Sequence, residues 1–189
     1  MEKSNFDNVR HVGYAAGRQI IQLGSVSDVE LFFSCIPFAA LHHQDKPWEI
    51  LLDRLYRKYL RPEDLDPSLE LMNIVKTWAY SQPTTFVDWS QFKSGESGLD
   101  HNAPNLGVVL FPFFYNFENC VDSAKFMIEK YGFGELSSVV RLVITDMGDF
   151  IKYEQERPFA DYDKLARNAT PFWALPYDEL DRQKNRVPS

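Results

Sequence analysis

Between Phe117 and Tyr153 two runs of periodically spaced apolar residues flank the short turn Tyr131-Gly132-Phe133-Gly134, and no other stretch of the chain restricts its fold as much. In the first run Phe117, Cys120, Val121, Ala124, Met127, Ile128 and Tyr131 recur at steps of three and four, with Glu118, Asp122, Lys125 and Glu129 on the other side. That spacing predicts a helix with one wet face. Gly132 stands where a helix ends in a left-handed cap. The second run, Leu136, Val139, Val140, Val143, Ile144, Met147, Phe150 and Ile151, keeps the same spacing toward Glu156, before Pro158 forbids more. Two helices joined this tightly pack antiparallel, so the expected organising unit is a helical hairpin.

Upstream, every periodic segment reads as helical. Phe6, Val9, Gly13, Ala16, Ile20 and Leu23 hold a helical stripe whose small residues Gly13, Ala15, Ala16 and Gly17 suit close helix packing. The Gly13-x-x-x-Gly17 spacing lacks the Lys-Ser/Thr ending of a phosphate loop and is given no nucleotide role. Ser27-x-x-Glu30 has the spacing of a capping box, predicting a helix from Asp28 whose apolar body to Leu41 is the expected central buried element, kinked at Pro37. Trp48 to Tyr59 is amphipathic, with Asp53 and Arg57 four apart on its charged side. Residues 61–66 form an acidic connector, and Asp66 with Pro67 opens a helix carrying Leu71, Ile74, Val75 and Trp78. Residues 81–105 break into Pro- and Gly-rich loop, although 84–92 alternate enough to allow a short strand. Leu106 to Tyr115 reads as a buried helix kinked at Pro112. A short helix is expected near Asp163 to Asn168, in a tail that packs back on the bundle. The expected fold is therefore all-α: one domain, residues 1–189, a bundle of about six or seven helices with one long irregular loop at 81–105.

Composition narrows the class of function. Hydrophobic residues make up 44 % of the chain and aromatics 15 %, which rules out a disordered chain and supplies large side chains for a core or an interface. The polar start, Met1-Glu2-Lys3-Ser4-Asn5, does not resemble a secretory leader, and no apolar run approaches the roughly 20 residues of a membrane span. Cys35 and Cys120 sit in apolar patterns as buried thiols rather than a disulfide, so a cytoplasmic location is expected. The net charge of -7 disfavours a nucleic-acid footprint and fits a basic protein partner.

Catalytic signatures are weak. His42, His43 and Asp45, joined by His101 after Asp100, carry the donor types a divalent metal takes, but their spacing matches no metal motif and suits a polar helix end. There is no Gly-x-Ser-x-Gly elbow, and Asp146, Asp149, Glu154 and Glu156 lack the histidines of a di-iron bundle. The remaining pattern is aromatic residues beside acids in the tail. Asp161, Tyr162, Asp163, Tyr177, Asp178 and Glu179 are the expected binding residues, with no cofactor and no metal. The expected function is a non-enzymatic protein-binding module, an acidic inhibitor of the immunity-protein type that blocks a basic partner such as a toxin. The alternatives are a metal-dependent hydrolase using His42, His43, Asp45 and His101, and a regulatory scaffold that dimerises through the Tyr14 to Ile21 face.

Overall fold

The computed structural model describes residues 10–17, 19–92, 97–134, 138–145 and 157–175. Within them the chain is not all-α: helices surround a three-stranded antiparallel sheet, making the fold mixed α and β. The strands are β1 (His11–Ala16), β2 (Gln19–Ser25) and β3 (Arg141–Ile144), in the spatial order β2-β1-β3.

The expected first helix is thus a β-hairpin. Ala16 pairs with Gln19, leaving a two-residue connection whose first residue, Gly17, has φ +61°. Such short hairpin loops need a positive φ at that place, and glycine adopts it without steric cost. Gly13 is a close-approach glycine of a different kind from the one anticipated. A Cβ there would stand 2.3 Å from the carbonyl oxygen of Ile21, so it lets two strands, not two helices, come together. A bulge falls beside it, because Gly13 faces Gln22 while Val12 faces Gly24. Leu23 is the extra residue.

The second arm of the expected helical hairpin is overturned at β3, which pairs with β1 from Val12↔Ile144 to Ala15↔Arg141. Its six-residue approach, Val139-Val140-Arg141-Leu142-Val143-Ile144, is buried throughout. Side chains buried on both faces leave no alternation to read, and β-branched residues then favour the strand, where their stiff χ1 packs well. The rest of that arm, residues 135–137 and 146–156, lies outside the described residues, as do Phe6 and Val9. Leu60 extends the sheet beyond β3 through an isolated bridge to Val140, its amide donating to the Val140 carbonyl at 2.8 Å.

Helix α1 (Val26–Ala40) opens two residues earlier than the Ser27-x-x-Glu30 spacing implied. The capping box is Ser25 with Asp28: the Asp28 amide donates to Ser25 Oγ at 3.1 Å, and the Ser25 amide donates to Asp28 Oδ2 at 3.0 Å. The helix runs through Pro37, which lies on its exposed side. A π-helical segment, Ile50–Leu55, buries Ile50, Leu51 and Leu55, and Asp53 pairs with Arg57 at 3.5 Å as the sequence spacing implied. Helix α2 (Pro62–Ser81) absorbs the expected acidic connector. Pro62 takes the first turn, where a missing amide costs nothing, and Asp64 accepts from the Arg61 amide at 3.0 Å, so Pro67 falls inside the helix rather than at its start.

The described residues of the long loop, 82–92 and 97–105, hold no strand, and 84–92 form 3₁₀ turns at Thr84–Phe86 and Trp89–Gln91 instead. Trp89 fastens it by donating from Nε1 to the Thr84 carbonyl at 2.9 Å. After it come α3 (Leu106–Val109) and α4 (Phe111–Tyr131), broken at Leu110 beside Pro112, which is the kink the sequence announced. Gly132 ends α4 with φ +79°. The tail carries α5 (Phe159–Asp163), ahead of the expected position, and a 3₁₀ turn at Phe172–Ala174.

The core forms where α1, α4 and the sheet meet. Phe32 of α1 stacks on Phe113 at 4.5 Å and meets Phe114 edge-on at 5.7 Å, while Tyr14 of β1 meets Phe117 edge-on at 5.6 Å. Each such aromatic pair adds roughly 0.5–1.5 kcal/mol to what its burial contributes. The tail joins this core: Trp173 is buried, donates from Nε1 to the Tyr56 carbonyl at 2.8 Å, and meets the Tyr56 ring edge-on at 5.2 Å.

Candidate functional site

Helix α1 turns Asp28, Phe32, Cys35, Ile36 and Ala39 inward, so residues at the complementary helical steps, Ser34, Pro37, Phe38 and Leu41, are left on its outer side. Phe38 is 48 % exposed and does not stand alone. It stacks on Trp78 of α2 at 6.3 Å and meets Phe86 of the long loop edge-on at 5.2 Å, and Trp78 and Phe86 meet edge-on at 5.1 Å. Three elements distant in sequence thus place three rings in mutual contact at the surface. Tyr80 lies against the backbone of Gly107, where a Cβ would come within 2.4 Å of its ring, and continues the patch toward α3. There Val108 and Phe111 are exposed, and Phe111 stacks on Tyr115 at 5.7 Å along the outer side of α4.

The loop that carries Phe86 is tied down at its far end. Asp28, 1 % exposed, accepts from Ser97 Oγ at 2.5 Å and from the Gly98 amide at 3.2 Å besides capping α1. Gly24 lacks the Cβ that would collide with this carboxylate at 2.5 Å. At the near end the Leu106 amide donates to the Gln82 carbonyl at 3.0 Å, so the loop ends are drawn together. A long loop anchored in this way can present side chains in fixed positions.

A second concave feature, an open groove of about 820 Å³, separates β2 from α4 and is lined by Ile20 and Ile21 on one wall and Tyr115, Asn119, Asp122 and Phe126 on the other.

The sequence-derived binding residues fare unevenly. Tyr162 is 2 % exposed, its ring edge-on to Phe172 at 5.2 Å and to Tyr59 at 5.8 Å, so it is a core ring rather than an accessible anchor. Asp163 accepts from the Tyr59 hydroxyl at 2.9 Å and from Arg61 at 3.4 Å, which fastens α5 to the segment before α2. Asp161 stands 3.7 Å from Arg157, whose guanidinium lies 3.8 Å from the Phe172 ring centre. Tyr177, Asp178 and Glu179 lie outside the described residues.

The histidines are scattered in role. The His43 carbonyl accepts from Trp48 Nε1 at 2.6 Å, and the His101 ring lies 5.8 Å from Trp89. Among the described residues no group of three or more His, Cys, Asp or Glu side chains is placed to hold a metal ion, so His42, His43, Asp45 and His101 are not brought together as one. Both cysteines are free and buried. Burial pushes the Cys35 thiol up to about 11, against a smaller opposing effect from a hydrogen bond with Ser34, and the Cys120 thiol up to about 12. Such thiols are poor nucleophiles. The proposed dimer face also changes character, since Tyr14 is fully buried under α4.

Among the described residues no helix is long and apolar enough to cross a membrane. What sequence reasoning missed are the outward rings: Phe38 in a helix read as apolar all round, and Tyr115 and Phe126, which fall on the same side of α4 as Asp122. No family model matches the chain, and no curated protein or solved structure matches it.

Proposed function

We propose that this chain is a protein-binding module, an acidic inhibitor that docks on a basic protein partner through the aromatic surface centred on Phe38, Trp78 and Phe86. The observation that carries the reading is the trio itself: three large rings, from α1, α2 and the long loop, held against one another at the surface. Phe38 and Phe86 are exposed around a half-buried Trp78 and keep apolar area ready for a partner, and aromatic anchors of this kind dominate binding energy at protein interfaces. The net charge of -7 supplies long-range attraction to a basic partner. Phe86 is already held by its contacts with Phe38 and Trp78, and its turn by the Trp89 bond to the Thr84 carbonyl, which lowers the entropy lost on docking. Asp161 and Asp163, partly engaged by Arg157 and by Arg61 with Tyr59, serve as steering charge and not as the contact.

Native mass spectrometry of the untagged protein from its own host tests this. The expected result is a one-to-one complex with a basic chain. Phe38→Ala and Phe86→Ala should each weaken it by roughly 30-fold, corresponding to about 2 kcal/mol for an interface anchor. Raising salt should slow its association. A complex indifferent to both substitutions, or a protein that carries no partner chain, overturns the reading.

A further inference from the structure

Gln19, Ile20 and Ile21 all line the groove beside α4, although successive residues of a strand point to opposite faces. A cavity that touches three consecutive strand residues lies along the strand's edge. β2 is an outer strand of the sheet, and the Ala16↔Gln19 pair that closes the two-residue hairpin must be a hydrogen-bonded pair. Alternation along an antiparallel ladder then turns the backbone groups of Ile20 and Gln22 away from β1, and Ile20 lines the groove. The opposite edge differs, because Leu60 pairs beyond β3 through Val140.

We propose that this groove takes an extended, basic segment of a partner protein as a fourth strand, paired in backbone to Ile20 and Gln22. Strand addition to an open edge obtains affinity from main-chain hydrogen bonds and selectivity from the wall that the side chains meet. Here the wall is α4. Tyr115 and Phe126, 53 % and 57 % exposed, offer apolar contact, and the helix between them spans about 16 Å, the length of about five extended residues. Charge fixes the sign of the occupant. Glu118 is paired with Lys76 at 3.2 Å and Lys125 with Asp66 at 2.5 Å, whereas Asp122 faces the groove with no cation of the described residues in ion-pair reach. A lysine or arginine of the incoming strand belongs opposite Asp122. It does not belong at the far end, where Lys130 already lies over the Phe126 ring at 5.5 Å. None of Phe38, Trp78 and Phe86 lines the groove, so either surface can fail without the other.

The test is selection of a random decapeptide library displayed on phage against the folded full chain, with Gln22→Pro and Asp122→Lys as counter-targets. Proline at an outward-facing edge position removes a donor from the open edge of β2 without removing a rung of the existing ladder. The expected result is enrichment of peptides that alternate apolar with Lys or Arg residues. The synthetic winner should lose at least about tenfold in affinity on each variant, a difference of about 1.4 kcal/mol. Asp122→Lys alone decides should Gln22→Pro fail to fold. No enrichment over the counter-targets, winners that are acidic or indifferent to Asp122→Lys, or a dimer of the free chain that dissociates in Gln22→Pro would overturn the proposal, the last by showing that a second copy is the occupant.

Discussion

Asp28 ties Ser97 and Gly98 of the long loop to the start of α1, and Asp28→Ala measures what that tie contributes. Its carboxylate accepts from the Ser25 amide, from Ser97 Oγ and from the Gly98 amide, and it is almost completely buried. Removing it breaks the capping box, worth about 1 kcal/mol. It also strips partners from donors in a buried setting, where each unsatisfied group costs about 1–3 kcal/mol. Ser97 is only half-buried and Gly98 is exposed, so both can turn to water and most of that cost falls on the Ser25 amide. A total near 3 kcal/mol is expected. For a chain of this size that lowers Tm by roughly 6–12 °C. Urea unfolding followed by circular dichroism gives the free energy, and amide exchange across residues 97–105 reports the loop. Ser97→Ala should cost about 1 kcal/mol, and the double variant should fall short of the sum because both act on one contact. A loss below 0.5 kcal/mol for Asp28→Ala, or full additivity with Ser97→Ala, would refute the claim that this carboxylate ties the loop to α1.

Other consequences are checked with the same unfolding assay. Cys120 has a folded pKa raised by burial from 9.0 to about 12, so the stability its neutral thiol contributes is full below pH 9 and is lost as pH climbs toward 12. At about 1.4 kcal/mol for each pH unit crossed, Cys120→Ala should flatten an alkaline decline of up to ~4 kcal/mol, and a slope unchanged by the substitution would contradict the assignment. Gly13→Ala drives a Cβ to 2.3 Å from the Ile21 carbonyl oxygen, a backbone atom that cannot swing aside, and should cost about 3 kcal/mol or more; near-neutrality would mean the hairpin register is misassigned. Trp173→Phe removes the donor to the Tyr56 carbonyl and should cost about 1–3 kcal/mol, whereas no loss would detach the tail from the core. Phe32→Ala should cost about 3–5 kcal/mol and Phe38→Ala about 1 kcal/mol, since one ring is fully buried and the other half-exposed; equal costs would return Phe38 to the core.

Helices with one wet side were legible in the sequence because their two sides differ in polarity. The runs around Leu71 to Trp78 and Phe117 to Tyr131 are helical as their spacing implies, and the kink at Pro112 and the cap at Gly132 fall where the side chains require them. The sheet was not legible for the same reason inverted. β1 is buried from Val12 to Ala16 and β3 over its whole length, so neither alternates, and each can be threaded by a stripe of period three or four. The missed signals were local chemistry: Gly17 between two apolar runs of hairpin length, and the β-branched density of residues 139–144. The candidate surface was hidden for a further reason. Whether Phe38 and Tyr162 face water or core depends on which neighbours the fold brings, and those neighbours are Trp78 and Phe86 in one case and Tyr59 and Phe172 in the other.

That exchange of places carries the functional argument. Tyr162 lies next to two acids, the pattern from which an interface was expected, yet its ring fills the core and its flanking carboxylates meet the chain's own arginines. Phe38 lies in an apolar run, the pattern of a core helix, yet half of it faces water in a cluster of three rings. Substituting the first should damage folding and leave the free surface unchanged, whereas substituting the second should cost folding little. If Phe38→Ala lowers Tm only by the roughly 2–4 °C that about 1 kcal/mol implies and still weakens the partner complex, the ring's role is recognition, because so small a loss of stability does not account for the effect. If it lowers Tm as Phe32→Ala does, the trio is a satellite of the core, and the groove beside β2 is left as the surface to test.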